Sequence, residues 1–183
     1  MTTKEYEVMT KTIRTIMILV YLLPLSAVAE WPQASAEFVD ADGTVIGQAE
    51  LVQTATGTLI RIEIDGLAPG PKAIHIHSVG QCDDHCDGFS ASGGHINPAD
   101  NQHGLLNPEG HCAGDLPNFH VHDNGYAQAE FYTTAVSLDG SFGARILDDD
   151  GAALVIHENP DDYISQPIGG AGARLACAVI VAD

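Results

Sequence analysis

Alternation of apolar and polar residues, cut by glycine turns, constrains this chain more than any other feature. Leu59-Ile60-Arg61-Ile62-Glu63-Ile64 places three isoleucines on one face of an extended strand, with Arg61 and Glu63 on the other. A helix cannot satisfy that period of two, because its same-face neighbours lie three or four residues apart. The texture recurs: Ala34–Asp40 runs to Asp42-Gly43, and Thr44–Gln53 runs to Thr56-Gly57. Lys72–Ser78 follows Asp65-Gly66 and Pro69-Gly70, and Phe119–His122 meets Asn124-Gly125. Tyr126–Thr134 alternates again, Val136-Ser137-Leu138 precedes Asp139-Gly140, and Ala152–His157 and Arg174–Val181 are short apolar runs. Asp-Gly and Asn-Gly between such runs mark hairpins. About eight short strands, with little that reads as helix, predict an all-β domain built as an antiparallel sandwich or barrel. Two long segments stand outside this pattern, one between Ser78 and Phe119 and the other Glu158–Ala173. Loops of that length in a compact domain usually carry function.

Metal donors collect in Ala73–Asn118. That stretch holds His75, His77, His85, His95, His103 and His111, with Cys82, Cys86, Cys112 and Asp115. Imidazole suits copper and zinc, and zinc also accepts thiolate and carboxylate. On a strand, His75 and His77 point to one face and can reach one ion together, with Ile76 behind them. His120-Val121-His122 repeats the spacing, so the spacing alone is cheap; these two and His85 read as structural or exposed.

The N-terminus reads as an export signal. Lys11 and Arg14, the apolar run Ile16–Leu25 and Ala27-Val28-Ala29 have the layout of a signal peptide cleaved after Ala29, with Met9 as an alternative start. The apolar run is short for a membrane span. One domain, residues 30–183, follows. The whole chain carries −18, and losing three bases and two acids with residues 1–29 brings the domain to about −19. Its strong bases are Arg61, Lys72, Arg145 and Arg174, too few and scattered to form a patch for nucleic acid or an anionic membrane. Export permits disulfides, and all four cysteines lie in the domain.

Several motifs together resemble the bacterial, periplasmic copper,zinc superoxide dismutases. They are His75-Ile76-His77, Gly93-Gly94-His95-Ile96-Asn97-Pro98, His103-Gly104, Gly114-Asp115-Leu116-Pro117-Asn118, His157-Glu158-Asn159-Pro160-Asp161-Asp162-Tyr163 and Gly170-Ala171-Gly172-Ala173-Arg174-Leu175-Ala176-Cys177. The resemblance spans Ala34–Asp183 and implies an eight-stranded antiparallel Greek-key β-barrel, sandwich-like, with two long functional loops. It implies dismutation of superoxide to dioxygen and hydrogen peroxide by a redox-cycling copper ion beside a structural zinc. Carried onto this chain, copper falls to His75, His77, His95 and His157. Zinc falls to His95, His103, Asp115 and one further donor. Asp161 would bond His75 and His103 and so link the two metals. Arg174 would hold the superoxide anion, and His95 would deliver a proton. Cys177 would bond a cysteine of the first loop, Cys82 ahead of Cys86. Superoxide is then the small-molecule partner, the periplasm the compartment, and the protein a monomer or homodimer.

The chain departs from that family at the zinc site. The usual histidine stands three residues before the aspartate; here that place is Cys112, and His111 is one residue early. Three readings stay open: His111 reaches zinc, Cys112 binds it as thiolate, or zinc is weak or absent. A Cys86–Cys112 disulfide would remove Cys112 from the choice. The leading function therefore has two rivals, a copper-only dismutase and a dismutase-like copper-binding or delivery module with little turnover. The presence of all four copper histidines and of Arg174 argues against the second. The loop Glu158–Ala173 carries Glu158, Asp161 and Asp162 and no Lys or Arg, so electrostatic guidance of an anion should be weak.

Overall fold

A computed structural model describes residues 31–183. The signal peptide expected in residues 1–29 lies outside the described residues. In chain order the strands are β1 (Gln33–Asp40), β2 (Val45–Gln53), β3 (Thr58–Ile64), β4 (Gly70–Lys72), β5 (Ile74–His77) and β6 (Phe119–Val121). There follow β7 (Ala127–Thr133), β8 (Val136–Ser137), β9 (Ala144–Arg145), β10 (Ala153–His157), β11 (Arg174–Val179) and β12 (Val181–Ala182). Among the described residues, no helix is long and apolar enough to cross a membrane.

The alternating runs became strands because one face of each meets the core. In β3, Thr58, Ile60, Ile62 and Ile64 are buried while Arg61 and Glu63 face solvent. The main sheet runs β5-β10-β11-β1-β2-β3-β7, and β12 continues along β1. Every pairing in it is antiparallel. The expected strand Lys72–Ser78 is split at Ala73. Its first residue, Lys72, closes β4, which contains Pro71, a residue with no N–H to give a ladder, and which pairs with β6 instead of β10. Because β4 leads into β5 and β6 leads into β7, this small pair joins the two edges of the sheet. The sheet thus curls into a barrel whose last seam is a separate two-stranded piece. The final strand is also interrupted, where the Ile180 N–H turns to donate to the Ala152 carbonyl at 3.0 Å.

Phe38, Leu51, Ile60, Ile62, Ile64, Ile74, Ile76, Leu154 and Ile156 fill the barrel. Each such side chain stabilises the fold by roughly 1.5–3 kcal/mol when fully buried. β5 and β10 differ from the other strands of the main sheet, being buried at every position. Their inner faces supply the core. Their outer faces present His75, His77, Ala153, Val155 and His157, and the two long loops cover these.

A second apolar cluster, Cys82, Phe89, Ala153, Val155 and Cys177, pins the first loop to the barrel wall. Within it Cys82 and Cys177 are disulfide-bonded, Cα–Cα 5.6 Å, across a sequence separation of 95 residues. The alternative Cys86–Cys177 bond is therefore not formed. Nor is the Cys86–Cys112 bond: both thiols are free, Cys86 on an exposed 3₁₀ turn and Cys112 buried inside the loop.

Candidate metal centre

The barrel wall and the first loop bring four imidazoles together. His75 and His77 stand two apart on β5, and His157 ends β10. Register does the positioning: Val155 lies opposite His75 and Ala153 opposite His77, so His157 emerges one step further along the same outer face. His95 arrives from the loop, whose backbone adds to the free edge of β5. The Ile96 N–H donates to the Ile76 carbonyl at 2.9 Å, and the Ile76 N–H donates to the Gly114 carbonyl at 2.8 Å. Gly114 is glycine because a Cβ there would sit 2.2 Å from the Ile76 oxygen. One donor atom from each of His75, His77, His95 and His157 lies within 4.8 Å of the others.

Among the described residues, five buried side-chain nitrogen or oxygen atoms lack a hydrogen-bond partner, and four belong to these rings. They are His75 Nδ1, His77 Nε2, His95 Nε2 and His157 Nε2. Leaving such a group unsatisfied costs about 1–3 kcal/mol each, so four side by side call for a ligand with empty orbitals. The opposite nitrogens are occupied. His77 Nδ1 donates to the Gly93 carbonyl at 2.9 Å, His157 Nδ1 faces the Gly172 carbonyl at 3.3 Å, and His75 Nε2 bonds Asp161 Oδ2 at 3.0 Å. Burial, the largest effect, lowers the His75 imidazole to about 4 and that of His157 to about 3. These rings are thus neutral at ordinary pH, the form a metal needs.

A second group adjoins the first. His75, His95, His103 and Asp115 also bring donor atoms within 4.8 Å of one another. His95 Nδ1 and His103 Nδ1 each lie 2.9 Å from Asp115 Oδ1. His75 shares both groups by distance, but its second nitrogen is already bonded to Asp161. His95 alone turns one nitrogen toward each group. Asp161 spans the two, through His75 Nε2 on one side and His103 Nε2 at 3.1 Å on the other. Burial opposes the charge on Asp161 and Asp115. Hydrogen bonds from His103 and His75 to the first, and from His103 and His95 to the second, outweigh it and hold both carboxyls well below their ordinary range. The same carboxylates raise His103 to about 9 in spite of its burial.

Arg174, at the start of β11, lies opposite His157. Its guanidinium is held by the Phe89 carbonyl, by Ser92 Oγ at 3.0 Å and by the Gly93 carbonyl at 2.8 Å. Three residues support the centre in roles that the sequence does not announce. The Ser92 hydroxyl touches both Arg174 and His77 Nδ1, the latter at 3.1 Å. The Gln166 amide clamps the backbone of His103 from both sides, at 2.9 Å each. Asn118 pairs with the backbone of Asp161, again at 2.9 Å twice. Polar loop residues bonding distant backbone leave no periodic signal.

His111, the expected zinc donor, is not brought into the second group. Its side chain is exposed and its Nδ1 is held by the Cys112 carbonyl at 2.7 Å. Successive residues here face opposite ways, so Cys112 is the buried one. Burial first, then the Asp115 charge, pushes its thiol up to about 11. His120 on β6 and His122 just past its end are exposed, with ring centroids 6.2 Å apart, and His85 rests against the Ala41 carbonyl; none joins either group.

The family model described as copper/zinc superoxide dismutase matches residues 45–180. A copper/zinc superoxide dismutase of Aquifex aeolicus is 43% identical over 155 residues, covering 84% of this chain and 90% of that one. One from Caulobacter vibrioides is 44% identical over 149 residues, covering 80% and 84%. Among solved structures, a superoxide dismutase-like protein from Bacillus subtilis superposes with a TM-score of 0.76 at 36% identity, covering 80% of this chain and 97% of that one. The Cu/Zn superoxide dismutase from Brucella abortus gives 0.65 at 25% identity, covering 81% and 99%.

Proposed function

We propose, from the premise that this chain belongs to the copper/zinc superoxide dismutase family and dismutes superoxide with copper and zinc, that His75, His77, His95 and His157 hold the copper. The observation that carries this assignment is the set of four buried, unpartnered ring nitrogens facing one another. His95, His103 and Asp115 would hold the zinc, with His95 offering one nitrogen to each donor group. Neither the copper-only reading nor the low-turnover copper module is favoured, since both donor groups and Arg174 are in place.

Copper, when bound, supplies a one-electron carrier, while zinc adds a fixed positive charge. The chain supplies everything else. Arg174 offers a guanidinium beside the histidine cluster and draws in the superoxide anion. Three carbonyl and hydroxyl partners fix its direction before the anion arrives, so no reorganisation is needed when it binds. His95 can carry a proton at Nε2 and hand it to the reduced oxygen species, which leaves as hydrogen peroxide after a second proton from solvent. Asp161 holds His75 and His103 in one tautomer and orientation.

Export to the periplasm is supported by the layout of residues 11–29 and by the Cys82–Cys177 disulfide, a bond that persists in oxidising compartments. Cell fractionation tests it. The copper assignment is tested by His157→Ala in metal-reconstituted protein. Superoxide decay after rapid mixing should fall to the rate of the uncatalysed reaction, and the barrel should still fold. Retained turnover would refute the role of His157.

A further inference from the structure

Zinc in a closed structural site takes four protein ligands. Here three converge: His95 Nδ1, His103 Nδ1 and Asp115 Oδ1. The fourth must come from nearby, and the choice lies between two adjacent residues that face opposite ways. His111 points to solvent, its near nitrogen tied to the next carbonyl. Turning it inward would give up that bond to the Cys112 carbonyl, which also accepts from the Asp115 N–H at 3.1 Å in a tight turn. A second bond, from the Cys112 N–H to Asp115 Oδ2 at 3.0 Å, holds the same turn closed.

Those same two bonds anchor Cys112 against the Asp115 carboxylate. Its Sγ is three covalent bonds from a nitrogen that already touches that carboxylate. The thiol is buried, and the partner it has is weak, the Asn101 carbonyl at 3.8 Å. As folded, that sulfur stands outside the 4.8 Å donor group, so to bind it must turn inward and give up the Asn101 contact. Zinc–sulfur bonds are about 2.3 Å, longer than zinc–nitrogen bonds, so the sulfur need not travel as far inward as an imidazole nitrogen.

We propose that Cys112 is the fourth zinc donor, completing a site of two nitrogens, one oxygen and one thiolate sulfur. The proposal rests on the reading of His95, His103 and Asp115 as zinc ligands. As the zinc–sulfur bond forms, the thiol proton passes to solvent, and no electron is exchanged. The ligated sulfur is also withheld from oxidation and from Cys86, which explains how an exported domain keeps a second pair of cysteines unjoined.

Cobalt(II) in place of zinc reports sulfur directly, because a thiolate ligand adds an intense near-ultraviolet charge-transfer band. Copper(I) in the first site is colourless and leaves that window clear. Protein loaded in this way should show the band, and Cys86→Ser should keep it. Cys112→Ser should lose it while the visible bands of bound cobalt persist. Zinc affinity measured by chelator competition should fall at least about 10-fold in Cys112→Ser and change less than about 2-fold in His111→Ala. Bound cobalt without the band in the unaltered protein, or a band that survives Cys112→Ser, overturns the proposal and leaves the three-ligand reading standing. No cobalt bound in the second site by metal analysis overturns both.

Discussion

Gly169 is the position where adding one carbon should do most damage to the centre. Its backbone is left-handed, φ +60°, and a Cβ built there would lie 1.6 Å from Asp161 Oδ1, 2.5 Å from Asp161 Cγ and 2.9 Å from His103 Nε2. Gly170 next to it has a similar φ, +68°, yet its Cβ would meet nothing within 4 Å. The pair separates backbone cost from collision. Gly170→Ala should cost about 1–2 kcal/mol, the penalty of placing an L side chain in that region. Gly169→Ala carries the same penalty and must also expel the Asp161 carboxylate. That carboxylate is buried and accepts from His75, His103 and the Tyr163 N–H, so it cannot simply swing aside. Losing its two histidine bonds costs about 1.5–3 kcal/mol each, which places Gly169→Ala about 3–6 kcal/mol below Gly170→Ala. Urea unfolding of the metal-free forms at pH 7 measures the difference. The loaded Gly169→Ala protein should also release zinc faster under a chelator, because His103 loses its orienting partner. Equal stabilities for the two variants, within about 1 kcal/mol, would refute the argument that Asp161 is held in one place.

Arg174→Ala should lower kcat/KM about 10-fold or more with little change in copper content, as expected for losing one preorganised charge; stopped-flow superoxide decay checks it. Added salt should raise the rate or leave it flat. The chain carries −18, and only local charge within about a Debye length, ~8 Å at physiological salt, attracts the anion; a steep fall with ionic strength would contradict this. The metal-free protein should be most stable near pH 6.5. Below that pH the unfolded chain protonates at His75 and His157, while the folded chain resists until about 4 and about 3, so stability falls with acid. At ~1.4 kcal/mol per unit, His75 alone accounts for about 3 kcal/mol by pH 4. His103 acts in the opposite sense, its folded-state proton stabilising fully below 6.5 and losing effect as pH rises through about 9. Urea melts from pH 4.5 to 9 test the dome, and a stability that keeps rising below pH 6 would refute it. Reducing Cys82–Cys177 should destabilise the fold by up to about 4–5 kcal/mol in the chain-entropy model, read from melts with and without reductant.

Most of the barrel was legible because its strands are buried on one face only. Ile60, Ile62 and Ile64 declare β3 by spacing alone, and Gly turns mark where each strand stops. The seam was less legible. Lys72–Ser78 reads as one strand, and only Pro71, just before it, signals that Lys72 pairs with one partner and Ile74–His77 with another. β10 was legible as a strand but not as to its burial on both faces, since that depends on loops folding over it.

The centre divides along the same physical line. His75 and His77 belong together by the period of a strand, whatever the rest of the chain does. His157 and Arg174 belong with them only through register, Val155 against His75 and His157 against Arg174 past an irregular step at Ile156. A slip of one residue would send every one of these side chains to the other face of the sheet. Family resemblance could name them in advance, but no local pattern could. The zinc donors are harder still. Spacing back from Asp115 places both His111 and Cys112 within reach, and chemistry accepts either. What separates them is the direction each faces once Asp115 closes the turn, and that direction exists only in the folded loop. The residue with the familiar side chain faces water, and its unfamiliar neighbour lies buried against the carboxylate.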